Sequence, residues 1–422
     1  PNFIRLGYHF RDWNNTMHSY GATGQYKVEI AELKNTFTVG ANAWSERFHT
    51  HKWIQPGTTT NFIEFPVRAG ISTAVSDAPP PDYFADVASW GREDNSNDYY
   101  FASWQLGAFD NRLRTNIAVN RTNLKLFNGT ATTELSKTSP MYGAMFDITK
   151  EVSIFAVHST SLFPTTDKDS FLQPLPPTIG KSNEVGVKLE LLNGKISGTV
   201  SYYQITQEGG SQRDPNAFNL NKQRWDNMTP AERLIAFPGQ TRDQLRDPNG
   251  NPGDLVPGAE QESKGFEADL IFQPTPNWQV LFSFAHNTQE VTEAVNRATI
   301  GQSTTGHIEN QVAVLTKYSF TEGAVKGLSV GLGLHHADEA LQDYSGPGST
   351  ARYNPSTFYA EAFGTYRFKA FGYNQLVQLN VKNLTEQEEF FGWQATGSSR
   401  ISTDRYEIPT KMQITLTYGI DF

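Results

Sequence analysis

The C-terminal run Lys411-Met412-Gln413-Ile414-Thr415-Leu416-Thr417-Tyr418-Gly419-Ile420-Asp421-Phe422 decides the fold class. Met412, Ile414, Leu416, Tyr418, Ile420 and Phe422 alternate with Gln413, Thr415, Thr417, Gly419 and Asp421. A period of two places the first set on one face of a strand and the second on the other. The same alternation recurs upstream. Leu328, Val330, Leu332 and Leu334 interleave with Ser329, Gly331 and Gly333, and Val185, Val187, Leu189 and Leu191 with Glu184, Gly186, Lys188 and Glu190. Leu113, Ile117 and Val119 form a third apolar face, and Phe358, Ala360, Ala362, Gly364, Tyr366 and Phe368 a fourth.

Extended along the chain, this reading predicts about 16 strands. Their cores are 2–11, 17–30, 35–52, 97–109, 112–127, 137–148, 151–162, 182–192, 195–207, 260–273, 277–290, 306–319, 327–338, 354–368, 374–384 and 408–422. Many exceed the ~9–11 residues that a tilted strand needs to cross a bilayer. One set of connections is short: 31–34, Asp110-Asn111, Thr149-Lys150, Asn193-Gly194, 274–276, 320–326 and 369–373. Asn193-Gly194 is the strongest hairpin signal, because both residues tolerate the positive φ of a type I′ turn. The other set is long, namely 53–96, 128–136, 163–181, 208–259, 291–305, 339–353 and 385–407, with only 12–16 short.

Short turns at one end and long loops at the other predict an all-β fold. The expected architecture is a transmembrane antiparallel up-and-down β-barrel, here a single domain over 1–422. A soluble sandwich also has one apolar face per strand. Three features favour the membrane. Loop length follows strand parity, the non-apolar face is rich in Gly, Ser, Thr, Asn and Gln, and aromatics recur near strand ends. Those aromatics are Trp44, Trp104, Tyr202, Trp278, Tyr318, Tyr366, Tyr418 and Phe422.

Composition removes other classes. No stretch approaches the ~18 consecutive apolar residues of a membrane helix. Aromatics make up 13% of the 422 residues, too many for a disordered chain. The net charge is −9 and no Lys/Arg block occurs, so nucleic acid is not an expected partner. The absence of Cys excludes disulfides, thiolate metal sites and Cys nucleophiles. The chain opens at Pro1 on strand-like sequence without a leader pattern, which reads as a processed or truncated chain. Within 208–259, Thr229-Pro230-Ala231-Glu232 is a capping box with Pro at the first helical position, predicting a short helix over 231–237. Thr241-Arg242-Asp243-Gln244 repeats the box.

Three segments carry a family resemblance. Gln375-Leu376-Val377-Gln378-Leu379-Asn380-Val381-Lys382-Asn383-Leu384-Thr385 resembles the penultimate-strand signature of TonB-dependent outer-membrane receptors, the siderophore-receptor type in particular. The ending 415–422 resembles their last strand, with the terminal aromatic that barrel-assembly machinery reads; Tyr418, Ile420 and Phe422 would carry that signal. Val152 to Phe163 followed by 175–188, with Gly180, Glu184, Gly186 and Lys188, resembles their strand, Pro-rich loop and strand stretch. The resemblance implies an N-terminal plug, a short TonB-contacting box and a barrel of about 22 strands. Neither plug nor box is found in these residues, and about six strands are wanting, so the chain reads as the C-terminal barrel portion. The implied partners are the TonB complex acting through the plug, outer-membrane lipid and lipopolysaccharide, the barrel-assembly machinery and a small metal chelate. The implied location is the outer membrane.

Enzyme motifs are absent: there is no P-loop, HExxH, GxSxG or dinucleotide fingerprint, and no cofactor or catalytic residue is expected. His49-Thr50-His51 puts two imidazoles on one face, but no third ligand can be named, so a strand tip is the plainer reading. His335 and His336 point to opposite faces and cannot share an ion. Asp94-Asn95-Ser96-Asn97-Asp98 and the run Asp247 to Asp254 are oxygen-rich but lack the Gly and Glu of a calcium loop, so both read as turns. The long loops combine aromatic rings with guanidinium groups, a pairing suited to an anionic, partly aromatic chelate. The candidate contacts are Trp53, Tyr83, Phe84, Trp90, Arg213, Trp225, Phe391, Trp393 and Arg400. Against this stands simple packing of loop on loop, with the Arg residues matched by Asp214, Asp226, Glu232, Asp243, Asp247 and Asp254.

Energy-dependent uptake of a ferric siderophore or similar chelate is therefore the leading expectation. A passive 16-stranded pore is the alternative, and a soluble β-rich binding protein, whose apolar faces would form a core, is the third.

Overall fold

The computed structural model describes residues 3–6, 9–54, 63–66, 91–127, 132–165, 167, 175–213, 217–236, 241–242, 255–344, 351–387, 391–393, 405–407 and 411–421. In chain order the strands are β1 (Phe3–Leu6), β2 (His9–Ile30), β3 (Leu33–Ile54), β4 (Ile63–Pro66), β5 (Gly91–Ala108), β6 (Leu113–Phe127), β7 (Thr132–Asp147), β8 (Val152–Phe163), β9 (Thr178–Leu191) and β10 (Ile196–Arg213). Helices α1 (Ala217–Asn227) and α2 (Pro230–Ala236) follow. The chain continues through β11 (Leu255–Thr275), β12 (Trp278–Glu293), β13 (Asn310–Ser319), β14 (Leu328–Ala337), β15 (Ala340–Asp343), β16 (Arg352–Asn354), β17 (Thr357–Ala370), β18 (Tyr373–Lys382), β19 (Phe391–Trp393), β20 (Arg405–Glu407) and β21 (Gln413–Asp421).

Fifteen of these strands form one sheet in the order β2-β3-β5-β6-β7-β8-β9-β10-β11-β12-β13-β14-β17-β18-β21. Apart from the small pairs β1–β4, β15–β16 and β19–β20, each strand lies beside its neighbour in sequence. This meander contains no Greek-key crossover, which sets it apart from a sandwich. The short connections are true hairpin turns. Asn193 and Gly194 have φ of 57° and 82°, and the Lys195 amide donates to the Leu192 carbonyl at 3.4 Å. The C-terminal end of β21 lies level with the short turns, since Asp421 pairs with Asn374 two residues beyond the Phe371-Gly372 turn.

The chain divides into two compact units, one of residues 1–25, 38–102 and 120–138, the other of 26–37, 103–119 and 139–422. In the second unit the alternating apolar face is the exposed one. On β21, Ile414 is 64% exposed and Leu416 71%. Val330 and Leu332 on β14, Val185 on β9 and Phe272 on β11 are likewise exposed. Among the described residues only Ala108, Leu124, Leu175, Ala337, Leu341 and Ala360 are buried hydrophobics. The apolar stripes therefore do not meet in a core, and the soluble reading fails. A continuous exposed apolar face on an all-β meander is stable where hydrocarbon covers it. On the opposite face a Cβ at Gly331 would strike the Phe363 ring, so glycine there makes room for an aromatic of the neighbouring strand.

Exposed aromatics cluster near the short-turn end. Phe37 stacks on Trp104 at 6.2 Å, Trp278 pairs with Tyr318, and both Tyr366 and Tyr418 flank Val377. Their polar atoms are bonded: Trp104 Nε1 donates to Asn35 Oδ1 at 3.0 Å, Trp278 Nε1 to Thr316 Oγ1 at 3.0 Å and Tyr418 Oη to Gln375 Oε1 at 2.8 Å. Rings with bonded polar tips suit a membrane–water interface. Tyr202 lies farther along its strand against Phe266 at 5.0 Å, also on the exposed face. Trp44 does not belong to this girdle: it shares a face of β3 with Gly40, which meets Phe101. Phe422 lies outside the described residues.

Several boundaries differ from the sequence reading. The predicted break at 12–16 does not exist, because β2 runs unbroken from His9 to Ile30; the large sheet thus has one strand fewer than expected. Asp12-Trp13-Asn14-Asn15-Thr16 has turn composition, yet Asn15 Nδ2 donates to Glu46 Oε1 on β3 at 2.7 Å. Pairing with a neighbour overrides local turn preference. The run 94–98, read as a turn, is strand β5, with Asp94 held by Arg47 and Arg92. The loop expected over 128–136 narrows to 128–131, and that over 208–259 narrows to 214–254 while also carrying α1. The run 247–254 lies outside the described residues.

The two faces make opposite demands. Replacing Leu416 on the exposed apolar face with Arg should cost about 2–4 kcal/mol of folding free energy in bilayers. Replacing its neighbour Thr415 on the polar face with Arg should cost under about 1 kcal/mol. Urea titrations of lipid-embedded protein compare the two, and equal costs would contradict the assignment of faces.

Candidate functional site

The long connections carry the chemistry available to a ligand arriving from their side. One of them carries the helices α1 and α2, between β10 and β11. Thr229 N donates to Glu232 Oε2 at 2.8 Å, and Glu232 N donates back to Thr229 Oγ1 at 3.4 Å. These reciprocal bonds start α2 at Pro230, where the missing N–H is no loss. They hold the Glu232 carboxyl below its ordinary range. The start of α2 brings Arg233 onto Trp225 of α1. Its guanidinium lies 5.2 Å from the ring centroid, and its Nε donates to the Trp225 carbonyl at 2.9 Å. Next to this, Arg242 grips Asp226 through two bonds of 2.7 Å. That fork lowers the Asp226 carboxyl, with the Arg242 hydrogen bond the largest cause.

Other connections are tied to one another. Leu341 of β15 is 1% exposed, and its backbone bonds to His307 and Gly306. Tyr344 Oη donates to the Ser303 carbonyl at 3.1 Å, Ser211 Oγ to Asp167 Oδ2 at 2.9 Å, and the Val295 amide to Gln212 Oε1 at 2.9 Å. The loops at this end therefore form an interlocked set.

The nine predicted ligand contacts are placed unevenly. Trp225 is half-buried under Arg233. Trp53 lies near the end of β3 and Arg213 at the end of β10, each at a long connection. Phe391 and Trp393 share the short strand β19, which pairs with β20. Tyr83, Phe84, Trp90 and Arg400 lie outside the described residues. His49 is exposed, and among the described residues no three His, Asp or Glu side chains gather as metal ligands.

The polar face of the sheet holds a second set of groups. A recess of about 730 Å³ in the larger unit is lined by Lys34, Arg114, Asn116, Glu184, Lys188 and Thr199, among others. Arg114 bonds to Asp147, which also accepts from Ser153 Oγ at 2.6 Å. Yet Arg114 Nε and Asn116 Oδ1 are buried without a partner among the described residues. Unpaired buried polar atoms are uncommon in finished structures. Farther along the sheet His335 lines two smaller recesses with Ser283, one of them also lined by Glu361, while His336 points the other way, bonded to Thr357 O and Asp338. The sequence placed Glu184, Lys188 and His335 on strand faces but did not mark any of these inner groups as a candidate site. Their signal was the alternation itself, since Glu184 and Lys188 take the polar positions on either side of Val185 and Val187.

Comparison with known proteins follows from this geometry. Residues 2–384 match the family described as TonB dependent receptor-like, beta-barrel. The metal-pseudopaline receptor CntO of Pseudomonas aeruginosa is 23% identical over 98% of this chain and 53% of its own length. The chain thus spans about half the length of the curated relatives it matches. The ferripyoverdine receptor of the Pseudomonas aeruginosa outer membrane, bound to ferripyoverdine, superposes with a TM-score of 0.75 at 15% identity, over 99% of this chain and 50% of that one. The ferric preacinetobactin receptor BauA of Acinetobacter baumannii gives 0.73 at 16% identity, over 100% and 56%. These findings favour the receptor reading over the passive pore.

The Asp226–Arg242 fork carries a pH expectation. A lowered carboxyl contributes its stabilisation above the unfolded carboxylate range, and loses it as pH falls through the still lower folded value. Trp225 emission, taken as the difference from a Trp225→Phe protein, should stay constant above pH ~5 and change only below ~4. Asp226→Asn should shrink that transition and leave the part carried by the Glu232 cap.

Proposed function

Because the chain belongs to the TonB-dependent receptor-like β-barrel family and resides in the outer membrane, we propose that it forms most of the barrel of a receptor taking up a ferric siderophore or similarly scarce metal chelate. The observation that carries this reading is the pairing of an exposed apolar face with a polar face whose recess holds the unpaired Arg114 Nε and Asn116 Oδ1. Such a face suits contact with another protein segment inside the barrel. A plug of that kind makes passage depend on energy, whereas an open pore needs none. The names of the relatives point to metal chelates as the cargo.

On this reading, 1–422 is part of one barrel domain. The interlocked loops receive the chelate, with Trp53, Tyr83, Phe84, Trp90, Arg213, Trp225, Phe391, Trp393 and Arg400 as its aromatic and cationic contacts. Flat rings stack on an aromatic chelator while guanidinium groups bond its carboxylates. The chelate is bound and moved without being altered, so the protein is no enzyme. The TonB complex acts through the plug, and Tyr418, Ile420 and Phe422 present the assembly signal.

The test uses the full-length receptor. Deleting its gene should abolish growth on the cognate ferric chelate under iron limitation, and so should loss of TonB. Trp225→Ala and Phe391→Ala should each weaken chelate binding by about tenfold if they are central contacts. Uptake that persists without TonB would return the pore reading.

A further inference from the structure

Two long connections of the larger unit, one joining β12 to β13 and the other β14 to β17, are tied at successive points. Residues 338–344, which leave β14, run back along residues 303–310, which lead into β13. Asp338 makes the foot. Its amide donates to the Asn310 carbonyl at 2.9 Å, and its carboxylate accepts from Asn310 Nδ2 at 2.6 Å. The other carboxylate oxygen meets His336 Nε2 at 3.2 Å. Two residues on, Ala340 forms an antiparallel bridge with Ile308. The Leu341 amide donates to the His307 carbonyl at 3.0 Å, and the Gly306 amide donates to the Leu341 carbonyl at 2.7 Å. Tyr344 Oη ends the run on the Ser303 carbonyl at 3.1 Å.

These contacts continue the register of β13 and β14, where Gln311 lies opposite Ala337. The next partners in that register are Asn310 with Asp338, Ile308 with Ala340 and His307 with Leu341. The wall of the sheet therefore projects into the connections. On its other edge β15 pairs with β16, Ala340 opposite Asn354 and Leu341 opposite Tyr353. Leu341, held on both edges, is 1% exposed. A segment bonded on both sides around a buried leucine opens only by losing both sets of bonds together.

We propose that residues 338–344 are a permanent strap, which makes the β12–β13 and β14–β17 connections one fixed wall of the rim, with Leu341 as its positioning residue. Cargo enters past the other connections without this wall opening. The closed strap rests on these contacts alone, whereas the route of the cargo rests on the receptor reading. A wall already ordered before binding loses no freedom when cargo arrives, so it raises affinity without touching more of the cargo.

The 422 residues contain no Cys, so a thiol pair placed across the bridge has no competitor among them. The Leu341–His307 bond marks Ile308 and Ala340 as a non-hydrogen-bonded antiparallel pair, the kind with the closer side chains. In the full-length receptor, Ile308→Cys/Ala340→Cys should cross-link on oxidation. The probe is radioactive iron equilibrated with the supernatant of the host's own iron-starved culture. Cells carrying the cross-linked receptor should take it up within about twofold of the rate after reduction. Hydrogen exchange on the purified receptor should show the Gly306 and Leu341 amides protected like strand amides. Leu341→Ala should speed their exchange about thirtyfold or more. Tyr344→Phe, which removes one tie and keeps the ring, should speed it about threefold, so the measurement survives a Leu341→Ala protein that fails to fold. The cross-link should also restore to Leu341→Ala the uptake which that variant loses.

Uptake blocked by the cross-link and recovered on reduction overturns the proposal, because the strap would then be a gate. So does a thiol pair that never cross-links, or Gly306 and Leu341 amides that exchange as fast as unpaired ones. A cross-link that forms but restores nothing to Leu341→Ala removes the positioning role of Leu341. Failure of the receptor reading would appear separately, as a parent protein that takes up no iron, and the exchange rates would still decide whether the strap is closed.

Discussion

A strand that crosses hydrocarbon has no water to satisfy its backbone, so each N–H and C=O must find a partner on a neighbouring strand. That constraint explains why the large sheet is a simple meander. Between β2 and β21 every strand has hydrogen-bonded neighbours on both sides, and the antiparallel registers run without interruption from β12 through β14, β17 and β18 to β21. The tight turns, with left-handed residues such as Asn193 and Phe371, keep consecutive strands in register. Irregular backbone is confined to the ends. The register shifts in β10 fall at Gln207 and beyond, toward the long connection that carries α1 and α2.

Once the ladder is in place, the two faces diverge. The outer face needs apolar groups along its middle and amphipathic rings at its rim, which Leu332, Leu416, Trp278 and Tyr418 supply. The inner face is free of that demand and carries Glu184, Lys188, Asp269, His335 and Glu361. Some of these are satisfied internally, as Asp269 is by Ser283 at 2.6 Å. Others, around Arg114 and Asn116, are left with bonds to make. The fold thus separates solvation by lipid from recognition of polar partners across the thickness of one strand.

The loops follow a third logic. Freed from the ladder, they are held by capping boxes, charged forks and buried single residues such as Leu341 and Asn221. Trp225 illustrates the outcome. Its ring is covered by Arg233 from its own segment, so any ligand would meet an arrangement already organised rather than an open indole.

Much of this was legible in residue order. Alternation along 411–422 and 328–334 identified strands, loop parity identified the up-and-down barrel, and Thr229 to Glu232 marked the start of α2. These are local signals, set by the period of two and by the chemistry of four consecutive residues. Tertiary structure alone decided where those signals yielded. Asp12 to Thr16 and Asp94 to Asp98 look like turns, yet Glu46 in one case and Arg47 with Arg92 in the other hold them extended. Trp44 carries the girdle's residue type but faces inward by its parity with Gly40. Which arginines converge, and on which side of the sheet, depends on registers between strands more than 40 residues apart in sequence, such as Arg47 and Asp94. No periodicity within one strand can specify that, because register is set jointly by the two strands that pair.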